Sequence, residues 1–211
     1  MRVSRRPVRA EIELIFLSET LSLCDCIHTQ LTSLNSTRKV KMNFLLNVRI
    51  FTGYFLSMEE SKKEGRYQRI ITQLSSLLTK TSDPVARMAT IAAVLSHKFD
   101  YFFWCGFYFA HGDTMIVGPY QGPVACQVLQ GSGVCLASVA QQKSIVVGDV
   151  HQFPGHIACD SRSSSEIVVP VRDTEGNIMA VLDVDSTTLN SFSETDRIYL
   201  EIITALVYAA I

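Results

Sequence analysis

Two amphipathic helices are expected where the chain first becomes regular, after Gly65. The first has its apolar stripe at Ile70, Ile71, Leu74, Leu77 and Leu78, which recur at helical spacing. A second helix is expected to begin at Asp83-Pro84, because aspartate is a favourable N-cap and proline suits the first helical turn. Its expected inward face is Val85, Met88, Ala89, Ala92 and Leu95.

Aromatic and β-branched runs then predict strands. Residues 102–110 and 114–120 flank the turn sequence His111-Gly112-Asp113, which indicates an antiparallel hairpin. A second hairpin is expected from residues 165–171 and 177–183, which flank an Asp/Gly-containing turn. Between the two hairpins the pattern predicts a strand through Val128, a short helix over 133–142 and a short strand over 144–147.

A final helix is predicted after Ser193-Glu-Thr-Asp196, which has the form of a capping box. Its expected buried face is Ile198, Ile202, Ala205, Leu206 and Ala209. Helices and strands are therefore segregated along the chain instead of alternating. This order predicts an α+β fold, an antiparallel sheet with helices packed against one face.

Composition limits the classes of partner. The 211 residues fit one domain with an appendage, and 47% hydrophobic with 18% charged residues is typical of a globular protein. The formal net charge of −1 argues against a nucleic acid partner. No window of 18 uncharged apolar residues occurs, and the nearest, over 42–57, is interrupted by Arg49, so no membrane span is expected.

Charge divides the chain into two parts. Residues 1–57 carry a net charge of +4 and residues 58–211 a net charge of −5. We expect 1–57 to be an N-terminal extension, disordered or a targeting segment, and 58–211 to be the folded domain. Arg2, Arg5 and Arg9 are typical of a mitochondrial presequence, but the acids from Glu11 onward are not. A cytoplasmic location is favoured, with mitochondrial targeting kept as the alternative.

Three of the six cysteines lie where chemistry is expected. Cys126, Cys135 and Cys159 fall in turns or at element ends, where thiols can be accessible and reactive. Cys105 lies within a predicted strand and is interpreted as a core residue. The chain has no C-x₂-C pair, and the Cys24-Asp25-Cys26 segment lacks a matching knuckle, so a structural zinc site is not favoured. Without a secretory signal, the thiols are expected to be reduced.

Three carboxylates form a second candidate group. Glu166 opens one predicted strand, and Asp183 and Asp185 close its hairpin partner, so all three can approach one end of the sheet. Acids that share a pocket raise each other's pKa, and a protonated carboxyl could then donate to a substrate oxygen. The alternative is that Asp185 only caps a turn.

The same segments resemble a known family, the free methionine-(R)-sulfoxide reductases, a branch of the GAF-domain superfamily. The resemblance covers about residues 65–211 and leaves the N-terminal stretch unmatched. It is carried by the run Asp149-Val-His-Gln-Phe-Pro-Gly-His-Ile-Ala-Cys-Asp160, by Ser163-Ser-Ser-Glu-Ile-Val-Val-Pro170, by Val181-Leu-Asp-Val-Asp-Ser186, by Trp104-Cys-Gly-Phe-Tyr108 and by Gly118-Pro-Tyr-Gln-Gly122.

The resemblance implies a fold and a set of roles. The fold is a GAF-like antiparallel sheet of about six strands, with helices on one face and a small-molecule pocket on the other. Cys159 matches the attacking cysteine, and Cys126 and Cys135 match the other redox cysteines. The substrate-binding residues are then the acids and two pocket-wall aromatics: Glu166, Asp183, Asp185, Trp104 and Tyr108. Leu136 follows Cys135 where the family usually has glycine, which favours Cys126 as the resolving residue.

The expected activity is reduction of free L-methionine (R)-S-oxide, part of an oxidative stress response. Cys159 becomes a sulfenic acid, Cys126 or Cys135 condenses with it to a disulfide, and a thioredoxin-like dithiol recycles the pair. No metal or organic cofactor is required, and a homodimer is compatible with the family. His156 is interpreted as a surface-loop histidine, with a role in lowering the pKa of the Cys159 thiol kept as the alternative. The alternatives are a non-catalytic GAF sensor that binds a small molecule and an interaction module centred on the basic N-terminus.

Overall fold

The computed structural model describes residues 36–156 and 159–210, with side chains described from residue 57 onward. Contacts divide the chain into two units, Met1–Met58 and Glu59–Ile211, and the packing described below is that of the second unit. Residues 1–35 of the expected N-terminal extension, which include Cys24-Asp25-Cys26, lie outside the described residues. Among the helices that the structure describes, none is long and apolar enough to cross a membrane.

Across residues 36–156 and 159–210, four α-helices and six strands follow one another in nearly the expected order. Helix α1 begins at Ser36, inside the expected N-terminal extension. The helices are α1 (Ser36–Leu77), α2 (Pro84–Lys98), α3 (Val134–Gln141) and α4 (Glu194–Ala205), and the strands are β1 (Trp104–His111), β2 (Thr114–Gln121), β3 (Val128–Gln130), β4 (Ile145–Val147), β5 (Ser165–Arg172) and β6 (Ile178–Ser186). Short 3₁₀ turns over Leu78–Lys80 and Val150–Gln152 complete the described elements.

All six strands form one antiparallel sheet in the order β3-β2-β1-β6-β5-β4. Successive side chains point to opposite faces of a strand. Cys105, Ile167 and Leu182 therefore belong to a large apolar core shared with α1, α2 and α4. Tyr108 and Val168 belong to a smaller cluster on the other face, shared with α3. The α+β class, the antiparallel sheet and the helices on one face are confirmed, and Cys105 is a fully buried core residue as predicted.

The predicted inward faces of the helices were partly wrong. In α4, Ile198 and Ile202 are 42% and 44% exposed, and the buried residues are Asp196, Leu200 and Ile203. The two stripes differ by a rotation of the helix about its axis. The buried acid determines the outcome, because Asp196 is hydrogen-bonded inside the domain and brings its own stripe inward.

The faces of the first two helices need a similar correction. Ile70, Leu74 and Leu78 of the predicted stripe are buried, but Leu77 is exposed. In α2, Met88, Ala92 and Leu95 are buried as expected, whereas Val85 and Ala89 are exposed and Ile91 takes their place. Asp83 caps this helix as predicted, its side chain accepting a hydrogen bond from the Ala86 amide.

Asp196 anchors α4 to the rest of the domain. The predicted capping box with Ser193 is present, and the Asp196 carboxylate also accepts hydrogen bonds from Tyr67, Tyr101 and Lys63 at 2.8, 2.6 and 2.7 Å. Burial raises the pKa of this carboxyl, but the Lys63 ammonium and the hydrogen bonds outweigh that effect and lower it. Lys63 and Tyr67 are in α1, so the last turns of that helix are joined to α4.

A shortened chain that begins at Met58 should fold as a cooperative unit. The described contacts of α1 with the rest of the second unit are made by residues after 58, including Lys63, Tyr67 and Ile70. We expect a single cooperative thermal transition with a Tm within a few degrees of the full chain, measured by circular dichroism. Loss of the cooperative transition would show that the domain begins upstream of Met58.

Candidate active site

A pocket lies on the face of the sheet opposite α1, α2 and α4. Its floor is formed by side chains of β1, β5 and β6, and one side is formed by the start of α3. Two loops border it: one over 122–127, between β2 and β3, and one that precedes β5. The lining includes Trp104, Tyr108, Pro123, Val124, Ala125, Cys135, His156, Cys159, Asp160, Ser163, Glu166, Asp183 and Asp185. The structure thus brings together the predicted acids and aromatics with Cys135 and Cys159.

A disulfide joins the two bordering loops. It links Cys126 to Cys159, 33 residues apart in sequence, with a Cα–Cα distance of 5.4 Å. Cys159 is exposed and Cys126 is half-buried. Both residues are therefore open to an external thiol, as their loop positions predicted.

Cys135 differs from the other two cysteines. It is the second residue of α3, its thiol is free, and it is only 4% exposed. The expectation of an accessible thiol was wrong here. The first turn of α3 packs into the smaller apolar cluster, on the face of the sheet opposite α1, α2 and α4, beside Tyr108 and Val168. Burial raises the pKa of the Cys135 thiol, and the nearby Asp183 and Glu166 charges raise it further.

The three predicted acids occupy neighbouring ladder positions. Glu166 pairs directly with Asp185 across β5 and β6, and Asp183 lies opposite Val168. Burial raises the pKa of Glu166, and repulsion from Asp183 and Asp185 raises it further. Burial, followed by the charge of Asp185, likewise raises the pKa of Asp183. Burial raises the pKa of Asp185 to about 6, against the opposing effect of a hydrogen bond with Ser163.

These acids have little opposing charge. No lysine or arginine is among the described residues that line the pocket. Burial lowers the pKa of His156, so its imidazole favours the neutral form. The least unfavourable arrangement at neutral pH keeps at least one carboxyl protonated, and a buried protonated carboxyl is a proton donor.

His156 was wrongly interpreted as a surface-loop residue. Its side chain is only 13% exposed, it lines the pocket, and its Nδ1 lies 3.9 Å from Glu166 Oε2. The preceding Gly155 has φ +72°, and a Cβ there would approach Ser132 Oγ to 2.6 Å. Ser132 Oγ in turn donates a hydrogen bond to the Gly155 carbonyl at 2.8 Å. The signal in the sequence was the glycine, which permits this turn and brings the ring inward.

The aromatic wall is a stack of three rings. Trp104 stacks on Tyr108 and on Tyr120, with centroid distances of 5.6 and 5.3 Å. Gly106 leaves room for the stack, because a Cβ there would lie 2.2 Å from the Cβ of Tyr120. The Tyr108 hydroxyl donates a hydrogen bond to the Cys126 carbonyl at 3.1 Å, which connects the wall to the disulfide.

Three buried polar side-chain atoms in the described part of the chain lack a hydrogen-bond partner, and all three residues line this pocket. They are Trp104 Nε1, His156 Nε2 and Asp183 Oδ1. Unpaired buried polar groups are costly, so such a concentration indicates a place for a polar ligand. The indole nitrogen needs an acceptor and the carboxylate oxygen needs a donor. A small ligand that carries both types of group would satisfy them.

The fold and the pocket together define a GAF domain. The GAF domain family profile matches residues 83–211, more than half of the chain. A Dictyostelium discoideum protein described as GAF domain-containing protein A is 44% identical over 147 residues, which cover 69% of this chain and 92% of the relative.

Relatives with a named activity identify the branch of the GAF superfamily to which the chain belongs. The Escherichia coli free methionine-R-sulfoxide reductase is 37% identical over 132 residues, which cover 62% of this chain and 79% of that protein. The crystal structure of the Neisseria meningitidis free methionine-R-sulfoxide reductase in complex with its substrate is 41% identical, with a TM-score of 0.66, covering 69% of this chain and 88% of that one. The chain belongs to the free methionine-R-sulfoxide reductase family, as its sequence motifs indicated.

Proposed function

We propose that the protein reduces free L-methionine (R)-S-oxide to L-methionine with electrons from its own cysteines. The observation that carries this proposal is the convergence of a cysteine pair able to form a disulfide with a buried acid cluster at one pocket. A non-catalytic sensor would need the pocket but neither of these groups. The relatives named as reductases support the same substrate.

Cys159 is the proposed nucleophile. Its thiolate attacks the sulfoxide sulfur, and the oxygen passes to the cysteine as the sulfur–oxygen bond of the substrate breaks. The products are free methionine and a Cys159 sulfenic acid, so two electrons move from the enzyme thiol to the substrate. Cys159 suits this role because it is exposed at the pocket, whereas Cys135 is buried and its thiol pKa is raised.

The acid cluster supplies the proton that the departing oxygen needs. Attack on sulfur leaves negative charge on that oxygen, and a neutral carboxyl nearby would neutralise it. Glu166 and Asp183 are the best donors, since burial and mutual repulsion raise the pKa of both. The Cys159 thiol gives up one proton when it forms the thiolate, and the cluster takes up one proton after it has donated its own, so the net reaction consumes no acid.

Cys126 then resolves the sulfenic acid. Its thiol attacks the Cys159 sulfur, water leaves, and the Cys126–Cys159 disulfide forms. The pairing of these two residues in the structure supports Cys126 over Cys135 as the resolving residue. A thioredoxin-like dithiol would reduce the bond by exchange, and the exposure of Cys159 gives it access.

Turnover should depend on both the configuration and the size of the sulfoxide. Because Cys159 and the acids are fixed on different elements, only one epimer can present its sulfur to the thiolate while its oxygen meets a carboxyl. We expect turnover of free methionine R-sulfoxide to exceed that of the S epimer, and of a sulfoxide within a peptide, by roughly two orders of magnitude or more. The measurement is methionine release and NADPH oxidation with a thioredoxin system.

Each outcome of this assay has a defined meaning. Equal rates on a peptide sulfoxide would contradict a pocket limited to the free amino acid. Binding of the R-sulfoxide without any methionine release from pre-reduced protein would instead identify a sensor. Enzyme with its cysteines alkylated serves as the control for non-enzymatic reduction.

A further inference from the structure

Three ligand-type atoms meet at the inner end of the pocket. Cys135 Sγ and one carboxylate oxygen each from Glu166 and Asp183 all lie within 4.8 Å of one another, and all three residues are buried. They come from α3, β5 and β6, so their positions are set by the packing of separate elements. Donor atoms around a tetrahedral zinc ion are about 3.5 Å apart, given its usual bond lengths. Small side-chain movements would bring the group to that spacing.

A second observation points to a cation in the same place. Asp183 is 7% exposed, and its Oδ1 has no hydrogen-bond partner, which leaves a buried acceptor unsatisfied. His156 also lines the pocket, and its Nε2 has no partner while its Nδ1 lies 3.9 Å from Glu166. No described lysine or arginine lines the pocket to neutralise the acids.

We propose that Cys135, Glu166 and Asp183 bind one zinc-type divalent cation that blocks the pocket. A donor set that includes a thiolate favours zinc over magnesium or calcium, which prefer oxygen ligands alone. Cys135 releases its thiol proton to solvent when it coordinates the ion, and no electrons are transferred. The inhibitory part of the proposal rests on the proposed function, because the ion and the substrate need the same acids. The binding part does not.

The disulfide state allows this site to be tested separately. When Cys126 and Cys159 are joined, neither can supply a thiolate ligand, whereas Cys135 remains free. Metal binding by the oxidised protein therefore excludes simple chelation by the redox pair. Cys24 and Cys26 lie outside the described residues and could chelate metal themselves, so both are replaced by serine in the full chain used for the test.

The experiment is a titration of this oxidised, metal-free protein with Co²⁺, which reports thiolate ligation through a charge-transfer absorption band. We expect the band to saturate at one Co²⁺ per chain and to disappear when one Zn²⁺ per chain is added. Cys135→Ser should lose the band, and Asp183→Asn should weaken binding roughly tenfold or more. Cys105→Ala is the matched control. Cys105 is a buried free thiol in the large apolar core shared with α1, α2 and α4, and its loss should leave the band unchanged.

Two results would overturn the site: no cobalt band in the oxidised protein, or a band of full intensity in Cys135→Ser. A second assay tests inhibition, with pre-reduced protein, free methionine R-sulfoxide and no thioredoxin. Zn²⁺ should slow methionine release, and a chelator should restore it. A protein that shows the cobalt band but never releases methionine would uphold the metal site and refute the proposed function.

Discussion

Cys159→Ser should abolish methionine release even in a single turnover of pre-reduced protein. A serine hydroxyl is a far weaker nucleophile than a thiolate near neutral pH, and the buried Cys135 thiol has a raised pKa that limits its ability to substitute. We expect the rate of release to fall by a factor on the order of 10³ or more. Rapid-quench assay of free methionine measures it directly, without a contribution from the recycling steps.

Cys126→Ser should behave differently, because it leaves the nucleophile in place. We expect about one methionine per active site, followed by a stall with thioredoxin, since no disulfide forms for exchange. The Cys159 sulfenic acid that accumulates should react with a dimedone-type probe and be located by mass spectrometry. Steady-state turnover of Cys126→Ser at the wild-type rate would contradict a resolving role for Cys126.

Cys135→Ser provides the comparison that separates the three cysteines. The Cys126–Cys159 pair remains complete in this variant, but the surroundings of Asp183 are altered. We therefore expect a single-turnover rate of methionine release between those of Cys159→Ser and Cys126→Ser. Cys105→Ser should affect only packing. Single-turnover release by Cys159→Ser together with none by Cys135→Ser would reassign the attack to Cys135, whose sulfur lies within 4.8 Å of carboxylate oxygens of Glu166 and Asp183.

The sheet could be predicted from sequence because its signals are local. Two-residue alternation assigns Cys105 and Leu182 to one face and Asp183 to the other, and Gly/Asp turns define both hairpins. The capping box at Ser193 is equally local, since its two hydrogen bonds join residues three apart. Each of these features depends only on neighbours along the chain.

The buried faces of the helices depend on more distant contacts. Ile198 and Ile202 form as apolar a stripe as Leu200 and Ile203, so hydrophobic pattern alone could not distinguish the two. The choice depends on Asp196, whose partners Tyr67 and Lys63 are some 130 residues away. A polar residue at a helix N-terminus is normally assigned to solvent, and here it is buried by its partners.

The site shows the same division between local and distant information. The residue types and the strand parity of the acids could be inferred from the chain, and the family resemblance gave the cysteines their roles. The burial of Cys135 and the inward position of His156 could not be inferred from the sequence, because each depends on how a loop or a helix end packs over the sheet. The sequence favoured Cys126 over Cys135 as the partner of Cys159 but left both open, and the disulfide between Cys126 and Cys159 supports the first.

Removal of a single acid should lower the rate and stabilise the protein at the same time. Asp183→Asn and Glu166→Gln each replace a buried carboxyl by an amide of similar shape that cannot donate an acidic proton. We expect single-turnover methionine release at neutral pH to fall roughly 10²- to 10³-fold in each variant, the usual contribution of a positioned general acid. The exposed Glu64→Gln is the matched control and should leave the rate unchanged.

The expected gain in stability follows from the direction of the pKa shifts. Folding raises the pKa of Asp183 and Glu166, so ionisation of either acid at neutral pH weakens the folded state. Their favourable contribution is complete below the unfolded pKa, near 4, and is lost as pH rises through the folded pKa. The amide variants escape this loss, and we expect their free energy of unfolding to exceed that of the wild type by about 1 kcal/mol or more at pH 8. Urea unfolding from pH 4 to 8 tests the sign, because the advantage should shrink towards pH 4. A variant that is both slower and less stable at pH 8 would indicate that the acids support the fold and are not held protonated for catalysis.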